Sequence, residues 1–489
     1  PPMNGTSPSP ELRPPAPETV RQKFLRDPGP WIILLAGLAL WRAGYPRPHV
    51  DDLFFTGVSI ELTRSGQLVN PWLAPWMASI GTTQFFVFPP VLPYTQGLWV
   101  ACFGVSTASF TAFHLLVQGA LQLCVYRLAR AAGAGWHVAL AAAVVAFFFS
   151  VNYGMRPDAL AFLLVVLGQL GAHGSRPWHR VAGAVLSAAA VLTHPLAMAF
   201  VIPLYVGQLL TMRGNRPALR TLVVSTSAGV AATFLWFLVA IHGAVGEFLR
   251  AMAAHKRLIM APDWYRGPLY FWGELVLGRE PWLCGTIYVL AFLGFARAFR
   301  AATSDGRMRT YRRLVWIWLA AAAMGSFLYP GRMEHYAAYS GLALAVVIWS
   351  NSRWAGAVAS AAVIAAAAHN AGAVLVPAFG DTTPPDPVAI RDAVARHPER
   401  ILCVDEVVAR YVFDFRLPAG ARDWSLRRPA QLGTAGTIAS KSPGTLWIAS
   451  EWKLEHYVAD AGVRAERLRI GSHTFGSLAR VPYRVRIIE

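Results

Sequence analysis

Long apolar blocks, separated by short arginine-bearing gaps, make up most of the first 370 residues. Blocks such as 138–149 and 222–241 carry no charged residue at all. A bilayer core takes about 20 apolar residues to cross as a helix, so this pattern predicts membrane-spanning helices. About eleven spans emerge by this criterion. They are centred near residues 38, 118, 143, 165, 186, 204, 231, 290, 321, 343 and 365. The division between the spans at 186 and 204 rests on His194-Pro195. Fusing those two would invert the topology of everything after them.

The basic residues give the orientation. Lys and Arg accumulate in cytoplasmic loops, and here they fall in alternate gaps. Arg21, Lys23 and Arg26 precede the first span, Arg127 and Arg130 follow the second, and Arg176 and Arg180 follow the fourth. Arg213, Arg216 and Arg220 follow the sixth, a dense group from Arg297 to Arg313 follows the eighth, and Arg353 follows the tenth. The remaining gaps are then extracytoplasmic, including long loops at 46–106 and 243–280.

The texture changes near residue 377. Pro384, Pro385 and Pro387 form a linker, and the apolar runs 401–404 and 445–449 look like buried strands. Helix-like 390–396 and 451–461 accompany them, and 480–488 alternates as an edge strand does. The expected organisation is a cytoplasmic N-terminal tail at 1–29, a membrane domain at 30–376 and an extracytoplasmic α/β domain at 377–489. The fold class is therefore an all-α polytopic membrane protein with a small C-terminal α/β domain.

Composition strengthens the membrane reading. Of 489 residues, 55% are hydrophobic and only 14% charged, against about a quarter charged in soluble domains. A net charge of +18 raises nucleic acid as a partner, but the arginines sit in short topological clusters and no basic groove is suggested, so nucleic acid is set aside. The four cysteines show neither CxxC pairing nor metal-ligand spacing. The first 28 residues, rich in Pro and Ser, read as a tail before an uncleaved anchor, with no signal-peptide cleavage motif.

Candidate chemistry gathers in the outer gaps. Asp51 and Asp52 follow the first span directly and precede an apolar helix-like stretch. Two readings stand: a helix-start cap, or a pair of carboxylates at the membrane surface available for acid–base work. Arg156-Pro157-Asp158 reads as a capped helix start with Pro in the first turn, or as a charged site. His194 before Pro195 reads as a turn residue. Lys256 and Arg257 suit a phosphate or anionic headgroups, and the aromatic residues 264–272 suit either sugar stacking or an interfacial belt.

The order of these motifs is what resembles a known family. The Asp51-Asp52 pair is followed by Phe88-Pro89-Pro90, then by Leu98-Trp99 and Phe103-Gly104-Val105-Ser106. Arg156-Pro157-Asp158-Ala159-Leu160 and Arg332-Met333-Glu334-His335-Tyr336 come later. Over roughly residues 30–350 the chain resembles the GT-C superfamily of integral membrane glycosyltransferases. The likeness is to the bacterial branch related to protein O-mannosyltransferases and lipid A aminoarabinose transferases.

That resemblance implies inverting transfer of a sugar from a polyprenyl-phosphate-linked donor to a glycolipid, cell-surface glycan or protein, at the outer face of the bacterial inner membrane. It makes Asp51 the base for the acceptor hydroxyl. Asp52 would orient the acceptor or hold a divalent cation, Mg or Mn. The substrate-binding set is Arg156, Asp158, Arg332, Glu334, His335 and Tyr336, with Lys256 and Arg257 as a second cationic group for the departing phosphate. Two other functions compete: a flippase of lipid-linked glycans, which should show repeated broken helices, and a non-catalytic glycan-binding membrane protein.

Overall fold

The computed structural model describes residues 27–42, 46, 48, 51–131, 135–140, 143, 155–172, 176–211, 215–259, 387–423, 444–450 and 485–488. The expected spans at 290, 321, 343 and 365 lie outside the described residues, and so does the Arg332–Tyr336 group. So do the helix-like segment 451–461 and the aromatic residues 264–272.

Helices occupy the expected span positions near residues 38, 118, 165, 186, 204 and 231; of the span expected near 143 only 136–140 and 143 are described. They are α1 (Pro28–Arg42), then, after the helices α2 (Asp52–Ser65), α3 (Ala74–Ser79) and α4 (Val91–Phe103), α5 (Thr107–Ala131). Next come α6 (Asp158–Ala172), α7 (Pro177–Val191), α8 (Met198–Thr211) and α9 (Arg216–Ala240). A shorter helical stretch is described at 136–140. Among the described residues two helices are long and apolar enough to cross a membrane, at Thr107–Arg127 and Arg216–Ala240. At 25 residues, α9 extends about 37 Å. Its Val224, Leu235 and Val239, like Leu35 of α1, are more than half exposed. Such bare apolar faces are costly in water and at home in lipid.

The chain reverses at His194. Phe162 meets Phe200 with ring centroids 5.2 Å apart, and Gln208 Nε2 donates to Gln169 Oε1 at 2.9 Å. Advancing along α6 thus advances along α8, and the two run parallel. In α7 the order is opposite, because Gly168 lies against Ser187 and Gly171 against Gly183. A Cβ on Gly171 would stand 2.7 Å from Gly183 Cα, and one on Gly183 would stand 2.4 Å from Ala172 N. Only glycine at both places allows this backbone approach, the usual device for packing helices that gain nothing from apolar burial in lipid.

The stretch 46–106, expected as a long loop, is largely helical. Asn70 secures it: its Nδ2 donates to Leu53 O and Phe54 O, both at 3.0 Å, and its Oδ1 accepts from Trp72 N at 3.1 Å. These bonds tie the turn before the short helix Pro71–Leu73 to the first turn of α2. After α9, the amphipathic α10 (Val245–Ile259) packs Phe248 onto Phe86 and Phe237. Thr82 Oγ1 bonds Glu247 at 2.8 Å.

The C-terminal unit begins with α11 (Pro387–Ala395), followed by β1 (Ile401–Val404) and α12 (Glu406–Tyr411). β2 (Arg422–Asp423), β3 (Thr445–Ser450) and β4 (Val485–Ile488) complete one sheet in the order β2-β1-β3-β4. β1 is parallel to both β2 and β3, while β4 is antiparallel at the edge. Asp405 caps α12 by accepting from Val408 N at 2.9 Å. One apolar cluster joins Val404, Val408 and Phe415 of this unit to Leu53, Phe110 and Met155. The α/β unit is therefore seated on the same end of the bundle as the Asp51-Asp52 pair.

Candidate functional site

Asp52 opens α2 and is fully buried. Its Oδ1 accepts the backbone N–H of Met155 at 2.8 Å, which fixes the start of α2 against the chain entering α6. Asp51 stands at the N-cap position, but its side chain makes no capping hydrogen bond. It reaches Arg156 instead, accepting at Oδ2 from Nη1. On its other edge Arg156 donates from Nε to Asp158 Oδ2 at 2.7 Å. The planar guanidinium has donors on both edges, so one arginine joins carboxylates from two helices. The Arg156 and Asp158 side chains are 15% and 11% exposed, and Asp51 is more open at 30%. The capping reading of the Asp51 side chain is thereby corrected: the arginine is a better partner than the helix's first amides.

His194 extends the cluster. It lies in the turn that ends α7, with Nε2 3.6 Å from Asp158 Oδ1. Burial drives its pKa down to about 4; Asp158 opposes this and Arg156 adds to it. The imidazole is thus neutral at neutral pH, a buried polar ring beside an already paired carboxylate. Phe88 packs on its other side, with centroids 5.6 Å apart.

An aromatic wall then runs to α10. Phe88 lies 5.4 Å from the His255 ring, Phe54 stacks on that ring at 5.9 Å and 29°, and Trp76 meets it edge-on at 5.6 Å. Phe54 is two residues from Asp52, so the C-terminal turn of α10 comes up to the start of α2. Lys256 and Arg257 follow His255 in that turn. Of the expected site residues, Asp51, Asp52, Arg156 and Asp158 are thus brought together, with the backbone of Lys256 and Arg257 close by. Arg332, Glu334, His335 and Tyr336 lie outside the described residues.

Beneath Asp52 runs a buried polar bridge between three helices. Ser59 is seven residues on, on the same face of α2. Its Oγ donates to Gln96 Oε1 at 2.7 Å, and the Gln96 amide nitrogen lies 2.9 Å from His114 Nε2. Ser59, Gln96 and His114 thus form one chain of buried polar contacts across α2, α4 and α5. A His or Gln inside an apolar block was a visible signal, but neither residue's partner can be read from spacing.

The described residues contain no group of three or more His, Cys, Asp or Glu side chains that could hold a metal ion. Asp52 is enclosed and engaged by a backbone N–H, and Arg156 brings positive charge to the adjoining carboxylates. Through its bond to Met155, Asp52 anchors the start of α2 to the chain entering α6.

No family model matches the sequence, and no curated protein matches it. Among solved structures the chain is similar to ArnT from Cupriavidus metallidurans bound to undecaprenyl phosphate, with a TM-score of 0.33 and 12% identity over 87% of this chain and 94% of that one. The apo state of the same enzyme gives a TM-score of 0.33 and 12% identity over 90% and 95%.

Proposed function

We propose that this protein is a membrane glycosyltransferase that moves a sugar from a polyprenyl-phosphate-linked donor to an acceptor at the extracytoplasmic face. The observation that carries the reading is the Asp51 carboxylate: it is the more open end of an otherwise buried Asp51–Arg156–Asp158 chain. Arginine counting in the sequence assigns all three to outer gaps.

The chemistry needs a carboxylate in that setting. An acceptor hydroxyl attacks the anomeric carbon as the bond from that carbon to the phosphate oxygen breaks. The hydroxyl proton passes to the Asp51 carboxylate, and the bonding electrons leave with the polyprenyl phosphate. A single displacement inverts the anomeric centre. Arg156 aims Asp51, which takes up the guanidinium that the sequence offered to the donor phosphate. Charge developing on that phosphate then falls to other cations, and Lys256 and Arg257 at the end of α10 are the candidates. Phe54, Phe88 and Trp76 supply apolar faces of the kind that stack on sugar rings.

The test is a transfer assay on purified protein, using radiolabelled polyprenyl-phosphate sugars and envelope lipids, glycans and proteins as acceptors. The expected result is loss of label from the donor and its recovery in one acceptor class. Label that stays on the donor, or that only crosses the bilayer of sealed vesicles, would overturn the reading in favour of a flippase.

A further inference from the structure

We infer that residues 410–416 of the C-terminal unit are a positioning clamp for the Asp51-Asp52 site, with Asp414 as its positioning residue. The kinetic part of this inference rests on the glycosyl-transfer reading; the structural part does not. Four contacts define the clamp. Asp414 Oδ1 accepts the backbone N–H of Thr107, the first residue of α5. Thr107 Oγ1 donates to Arg410 O at 2.8 Å. Arg416 donates from Nε and Nη2 to Val105 O at 3.1 and 3.0 Å. Phe415, fully buried, meets Phe110 edge-on with centroids 5.3 Å apart.

The backbone is bent to make this happen. Asp414 and Phe415 are consecutive non-glycine residues with φ of +52° and +59°, a region that side chains rarely enter and that is kept only where surrounding contacts dictate it. The result is a carboxylate from one unit capping a 25-residue helix of another, where the orphan amides and the helix dipole both favour an anion.

From Thr107 the coupling reaches the site by two routes. Along α5 it passes to His114 and through Gln96 to Ser59, on the Asp52 face of α2. Through packing, Phe415 and Val408 share a cluster with Leu53 and Met155. Leu53 adjoins Asp52, and Met155 donates to it. Loosening the clamp should therefore loosen the Met155–Asp52 bond and with it the registry of Asp51 and Arg156.

The full-length protein in lipid nanodiscs serves for the test, as wild type, Asp414→Ala and Asp414→Asn. Asparagine keeps an oxygen that can cap Thr107. For Asp414→Ala, kcat per folded molecule should fall about tenfold with the donor KM within about twofold of wild type, since misplacement of aligned groups slows the chemical step. Asp414→Asn should restore it. Hydrogen exchange at the Met155 amide should be about tenfold faster in Asp414→Ala and near wild type in Asp414→Asn. Wild-type exchange at Met155 in Asp414→Ala overturns the inference. If that variant does not fold, Arg416→Gln takes its place, with exchange about threefold faster expected at Met155 and unchanged exchange overturning it. Wild-type protein without any sugar transfer would remove the proposed function while the exchange result still decides the clamp.

Discussion

Arg130 and Arg156 both pair with aspartate, but at opposite ends of the bundle and in different surroundings. Arg130 Nε lies 3.4 Å from Asp27 Oδ2, and its side chain is 41% exposed. This pair closes the start of α1 against the end of α5, where Tyr126 also donates to Asp27. Arg130 stands sixteen residues beyond His114 on α5, about 24 Å along the axis. Arg156 sits at the other end, largely enclosed between two carboxylates. An exposed pair is cheap to form and adds little stability. An enclosed one has lost its hydration and persists only when its donors and acceptors are closely matched. Charge arranged at that cost and left partly open at one carboxylate is what a reacting site needs. The comparison separates a fastening from a candidate site.

The strongest way to break that contrast is Asp51→Asn. The amide keeps an oxygen for Arg156 but cannot take a proton. The transfer rate should fall by about 100-fold or more, the usual contribution of a general base, while the protein stays folded. A wild-type rate in the radiolabel assay would remove Asp51 from the chemistry. Next in size is Arg156→Lys. A single ammonium cannot span two carboxylates as the planar fork does, so Asp51 loses its aim. The rate should drop roughly 10- to 100-fold, and the melting temperature should fall as the carboxylates are left poorly matched.

Parts of this were legible in the chain and parts were not. The apolar blocks announced the helices at 28–42, 107–131 and 216–240 because periodicity and length are local properties. The run 401–404 matches β1 for the same reason. Asp51, Asp52, Arg156 and Asp158 stood out individually as charges at the ends of apolar blocks. Their pairing could not be read, since Asp51 and Arg156 are 105 residues apart and their meeting depends on how α2 and α6 are rotated and packed. From sequence Arg156 reads as a cation for the phosphate; in the structure it lies between the Asp51 and Asp158 carboxylates. His194 read as a turn residue, which it is; its place beside Asp158 comes from the reversal between α7 and α8. The docking of the α/β unit gave no sequence signal, because Asp414 and Thr107 are 307 residues apart.

Acid should also tell the two ends apart. His194 is held neutral, with a pKa near 4 against about 6.5 in an unfolded chain. Between these values the unfolded state binds the proton and the folded state does not, so stability falls as pH falls through that window. The site's contribution is intact above about pH 6.5, and the loss by pH 4 is on the order of 3 kcal/mol. Thermal unfolding at pH 7 and pH 4.5 checks this. His194→Phe should flatten the difference between the two, and an unchanged slope would show that other groups carry the acid sensitivity.

The smallest effect belongs to the Asp27 end. Asp27→Asn retains an oxygen for the Tyr126 hydroxyl and removes only the charge that faces Arg130. Because that arginine is exposed, water already screens the pair, and the loss should be no more than about 1 kcal/mol. Turnover should stay within about twofold, since the pair lies at the far end of α5 from His114 and the Asp51 carboxylate. Measured beside Asp51→Asn, the variant asks whether two similar aspartate substitutions differ because of where they sit. A tenfold loss of turnover from Asp27→Asn would mean that the two ends are coupled through α5, and the division into fastening and site would have to be redrawn around that helix.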